Sequence, residues 1–76
     1  MNKQMLKKIV SVFLKNDPQE INDNTVIDNS AIRGSVLFHR MISRINDYYD
    51  VELEHYEKIK TFSDLSNELD SKIQKK

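Results

Sequence analysis

Apolar residues recur along the chain in three separate helical stretches. In residues 3–16, Met5, Leu6, Ile9, Val10, Phe13 and Leu14 return at steps of three and four, and Lys3, Lys7, Lys8 and Lys15 take the other side. That spacing predicts an amphipathic helix with one continuous apolar face. Asn16-Asp17-Pro18 is expected to end it, because the residue before a proline is pushed out of the α region. In residues 35–49, Phe38, Met41, Ile42, Ile45 and Tyr49 fall within an arc of about 100° at ~100° per residue, a core-facing stripe on a second helix. In residues 61–75, Phe62, Leu65, Leu69 and Ile73 give a third apolar stripe. Thr61 or Ser63 is expected to cap that helix, with Asp64 in its first turn and Lys72, Lys75 and Lys76 near its end.

Between the first two helices lies a connection, residues 17–34, that carries most of the turn formers. A loop of this length is uncommon in a small domain unless it is anchored or functional. Ile21, Val26, Ile27 and Ile32 are spaced to tuck back onto the helices, which predicts an anchored loop with room for one short helical turn. Residues 54–60 hold a short third helix or a single turn, with Tyr56 and Ile59 as its inward contacts. The expected architecture is all-α: a small four-helix bundle, three main helices plus one short one, in which elements too short to stand alone share a core.

Composition narrows the classes. Seventy-six residues allow one domain, taken as 1–76. Twelve basic and twelve acidic residues cancel, so nothing in the whole-chain charge points to nucleic acid. Cysteine is absent, which leaves no disulfide framework and no thiolate metal site. No apolar run reaches the ~18 residues needed to span a bilayer, and none follows Lys3, Lys7 and Lys8 as in a signal peptide. A cytoplasmic monomer with no membrane association is the expectation.

Candidate chemistry concentrates on the second helix. Ser35 sits at its N-terminal end, where unpaired N–H groups and the macrodipole favour an anion. A serine there also reads as a plain N-cap. Arg33, Leu37, Arg40 and Arg44 share an arc of about 60°, away from the apolar stripe. By default such a stripe is a solvated face; Leu37 within it points to docking. A basic helix is also the usual nucleic-acid footprint, but three arginines on a neutral chain make little of one. Ser35 and His39 lie four residues apart, yet a serine hydrolase needs an orienting acid, an oxyanion hole and a dry pocket that a chain this small does not readily build. His39 and His55 without cysteine or clustered carboxylates give no metal-site pattern. Tyr48, Tyr49 and Tyr56 read as core edge with hydroxyls reaching water.

Counting from Ser35, apolar residues stand at Val36, Met41, Ile42 and Ile45, an aromatic at Tyr49, and an apolar residue at Leu53 after a short acidic-and-apolar segment. This register resembles the acyl carrier protein family, the phosphopantetheine carriers, over about residues 3–73. Lys58-Ile59-Lys60-Thr61-Phe62 resembles the family's Lys-Ile-x-Thr-hydrophobic pattern before its last helix, and Asp23-Asn24-Thr25 resembles its loop-one Asp-Asp-Thr. The family's Asp-Ser-Leu, usually preceded by Leu-Gly, is replaced here by Arg33-Gly34-Ser35-Val36, and the spacing from Thr25 to Ser35 is one residue longer.

The resemblance implies that Ser35 is the attachment site for 4′-phosphopantetheine, with Ser30 the competing serine. It implies a chain that is not itself an enzyme. Its arm holds acyl groups as thioesters, in fatty acid, polyketide or related biosynthesis. The implied partners are a phosphopantetheinyl transferase, acyl-loading enzymes, and acyl-transferring or condensing enzymes. These dock on Arg33, Val36, Leu37, Arg40 and Arg44. Typical carriers are acidic along this helix, so partners of this chain are expected to differ from those with basic patches. The alternative is a helical adaptor or degenerate carrier with an inert Ser35, acting through protein contacts alone.

Overall fold

The computed structural model of the chain describes residues 3–28, 34–54 and 58–74. Helix α1 spans Lys3–Leu14 and buries Leu6, Ile9, Val10 and Ser11. It stops at Leu14, short of the Asn16-Asp17-Pro18 signal. Lys15 turns left-handed (φ 59°), and the Asn16 N–H then reaches back to the Ser11 carbonyl at 3.3 Å. This is a C-terminal cap in which a left-handed residue lets the chain close over the last orphan carbonyls. Proline acts one step later. Asp17 is extended (ψ 137°), as a pre-proline residue prefers, and its carboxylate accepts the Gln19 N–H as it opens a 3-10 turn, Pro18–Glu20.

The rest of the loop is anchored, as its apolar spacing predicts, but on two isoleucines. Ile21 and Ile27 are fully buried, whereas Val26 is half-exposed at 49%. The correction has a simple cause. Val26 pairs with Thr61 in an isolated antiparallel bridge, and in extended backbone successive side chains point to opposite sides. Ile27 therefore faces in and Val26 faces out. Ile32 lies outside the described residues.

Helix α2, Ser35–Tyr49, keeps its expected bounds. Phe38, Met41, Ile42 and Ile45 are buried, with Tyr49 packed against the edge of the core. Asp50 ends it in a left-handed conformation (φ 54°), its N–H on the Asn46 carbonyl. The Val51 N–H bonds the same carbonyl at 3.1 Å. The Asn46 side chain then accepts the Leu53 N–H at 3.0 Å, which turns Leu53 into the core.

Helix α3, Phe62–Gln74, buries Phe62, Leu65, Ser66 and Leu69. Ile73 is partly buried against the same cluster. The Ser66 hydroxyl has no hydrogen-bond partner among the described residues, a small cost to the fold. Ile59 is buried as expected; His55 and Tyr56, with the centre of the expected short helix, lie outside the described residues. One cluster joins all three helices and the loop: Leu6, Ile9 and Val10 with Ile21 and Ile27, the α2 stripe, Leu53, Ile59 and the α3 stripe. Among the described residues the protein is all-α, with no strand beyond the single bridge.

Candidate functional site at the start of the central helix

Ser35 is the first residue of α2, and Gly34 is the residue that caps it. The capping alternative for Ser35 is thereby displaced by one position. Gly34 contributes no side-chain cap; its carbonyl takes the first helical bond, from the Phe38 N–H at 3.1 Å. Its backbone (φ 146°, ψ 149°) lies in a region that only glycine adopts readily. Glycine here suits the chain path into α2, and any side chain at this position would sit on strained backbone. Ser30 and Arg33 lie outside the described residues, as does the side chain of Ser35, and with it the Ser35–His39 pairing.

Below Ser35 the outer face of α2 is open. Val36 is 66% and Leu37 40% exposed, and Arg40 and Arg44 are exposed one turn apart. Leu37, Arg40 and Arg44 share one surface and the buried stripe occupies the other side of the helix, as the two arcs predict, and Val36 lines one groove with them. The structure adds residues that periodicity assigned elsewhere or passed over. Val12 and Phe13 of α1 form the opposite wall of an open groove whose α2 wall includes Val36, Leu37, Arg40, Arg44 and Asp47. Val12 is 67% exposed. The available signal was that Val12 is an apolar residue off the apolar stripe of its own helix.

The other chemical candidates are brought together less. His39 is exposed, and its ring meets Phe38 edge-on with centroids 6.2 Å apart. No cluster of three or more metal-ligating side chains occurs among the described residues. Tyr48 and Tyr49 stack edge-to-face at 4.8 Å. Burial raises the Tyr49 hydroxyl above its ordinary pKa, and the neighbouring Tyr48 adds to this. No helix among the described residues is long and apolar enough to cross a membrane.

No protein-family model matches this chain, and neither a curated protein nor a solved structure matches it.

Proposed function

We propose that the chain is an acyl carrier: a bundle of acyl-carrier type, completed by a short fourth helix before α3, with Ser35 bearing 4′-phosphopantetheine. The observation that carries this reading is the position of Ser35 as the first residue of a central helix whose opposite face is fully engaged in the core. A helix start suits the anionic phosphodiester that attachment creates, because the unpaired N–H groups and the dipole favour negative charge there. The register from Ser35 through Tyr49 to Leu53 supports it: Met41, Ile42, Ile45 and Leu53 are all buried, as the resembling positions require.

The chemistry belongs to the partners. A phosphopantetheinyl transferase joins the Ser35 Oγ to the phosphopantetheine phosphate of coenzyme A, and the adenosine bisphosphate leaves as the serine proton is removed. Attached at Ser35, the arm would supply a thiol able to hold an acyl group as a thioester between a loading enzyme and a transferring or condensing enzyme. A cytoplasmic monomer that binds neither nucleic acid nor membrane fits this role. A second reading, an adaptor or degenerate carrier without a loaded serine, is favoured by Arg33-Gly34 in place of the motif acid.

Incubation with coenzyme A and a broad-specificity transferase, followed by intact mass, tests the proposal. The expected result is a gain of one phosphopantetheine that disappears in Ser35→Ala, with the stability of that variant within about 0.5 kcal/mol of the parent. No gain, or a gain lost only in Ser30→Ala, overturns the assignment.

A further inference from the structure

The α1–α2 groove holds a combination of groups that the fold itself does not use. Val12 and Val36 are about two-thirds exposed and Leu37 is 40% exposed, on opposite walls of one channel of about 810 Å³. An open groove of this kind accepts several side chains of a docking partner. Beyond this apolar end, Arg40 and Arg44 project from α2 one helical turn apart. Neither makes an ion pair among the described residues. Asp47 closes the line, so the α2 wall of the groove runs from apolar to positive to negative.

We propose that this groove docks an amphipathic helix of a partner protein, with apolar residues against Val12, Val36 and Leu37 and two carboxylates one turn apart against Arg40 and Arg44. The charge pattern selects the occupant. Residues four apart on a helix are neighbours, so an acid pair at that spacing meets the arginine pair in register. A guanidinium offers a carboxylate two parallel donors, and more strongly where apolar contacts exclude water. A helix laid in an apolar groove is a standard recognition geometry, read as anchors three and four residues apart.

Other occupants fit less well. An anionic membrane is flat and uniformly charged, whereas this surface is concave and carries Asp47 among its lining residues. A second copy of the chain could offer α3, but its exposed positions are Asp64, Asn67, Ser71 and Gln74, with nothing apolar to meet Val12, Val36 and Leu37. The proposal deepens the docking expectation at Val36, Leu37, Arg40 and Arg44 by naming the partner's chemistry, and it holds whether or not Ser35 is loaded.

The test is a displayed library of 18-residue amphipathic helices, randomised on the polar face and selected against the whole chain in its unmodified form. Enrichment of paired Asp or Glu four residues apart is expected. The selected peptide shifts the amide resonances of Val12, Val36 and Leu37 in solution. The double variant Arg40→Glu/Arg44→Glu, checked for an unchanged circular dichroism spectrum, weakens its binding by about tenfold or more, since each lost contact is a charge-assisted one. Selection of basic helices, no selection, a footprint away from the groove, or unchanged affinity of the double variant overturns the proposal. So does perturbation of the same residues by phosphatidylglycerol vesicles when no helix is selected. The mass assay on Ser35 reads the carrier function separately, so either idea can fail alone.

Discussion

At the start of α3, the first N–H groups have partners. Phe62 donates to the Thr25 carbonyl at 2.9 Å and Ser63 to the Asp23 carbonyl at 3.1 Å. Asp64 donates to the Thr61 hydroxyl at 3.3 Å, and the Asp64 carboxylate accepts the N–H groups of Lys60 and Thr61 in return. At the start of α2 the cap is Gly34, which has no side chain to offer, and Ser35 follows at once. The orphan donors of a helix are normally satisfied by caps, loop or water. In α3 the interhelical loop supplies the carbonyls, held in place by the Asn22–Thr25 turn, in which the Thr25 hydroxyl accepts the Asn22 N–H at 2.9 Å. The contrast separates a helix start tied to the interhelical loop by side-chain and backbone partners from one whose capping residue has no side chain to contribute. The second lies beside the serine and at the apolar end of the groove.

The largest test of that contrast removes the anchor of the closed end. Phe62 is fully buried and follows the capping residue of α3 directly. Phe62→Ala is expected to cost about 3–5 kcal/mol, against a total of roughly 4–11 kcal/mol for a chain of this length. Urea unfolding followed by circular dichroism checks it; a loss under about 1 kcal/mol removes the claim that this end organises the fold.

Gly34→Asp probes the start of α2. It places an acid directly before Ser35 but puts a side chain on backbone at φ 146°. Space is not the obstacle, since nothing lies within 4 Å of a Cβ there. The expected loss is about 1–3 kcal/mol from backbone strain alone, measured in the same unfolding assay. Equal stability of the variant and the parent breaks the argument that a side chain here sits on strained backbone.

Smaller effects belong to the capping box of α3. Thr61→Ala is expected to cost about 1 kcal/mol. The Asp64 carboxyl lies below its ordinary 3.8 because it accepts the Lys60 and then the Thr61 backbone N–H. A carboxyl depressed in the folded state stabilises above the unfolded pKa, and this contribution is lost as pH falls through the folded value. The parent should therefore be more stable than Asp64→Asn at neutral pH, and the gap should close on acidification below the usual aspartate range. A pH-independent gap in urea titrations overturns the capping-box account.

Much of this was legible in the chain. The bounds of α2, its buried stripe of Phe38, Met41, Ile42 and Ile45, and a cap at Thr61 or Ser63 follow from periodicity and from short-range hydrogen-bonding preferences, and the structure makes the cap Thr61. The end of α1 was not, because a left-handed lysine gives no compositional signal when glycine is the usual residue there. Nor was the outward Val26, since its direction depends on pairing with Thr61, thirty-five positions away.

The sequence by itself determined three amphipathic helices, which face of each is apolar, and a serine at the first turn of the second. These depend on contacts within about four residues. Tertiary structure decided how the loop meets α3. It decided that Gly34, not Ser35, caps α2, and that Val12 comes across from α1 to complete a groove with Val36, Leu37 and Arg40. Those outcomes follow from how helices are set against one another. A one-dimensional pattern gives the period of a face and leaves open which face of another helix it will meet.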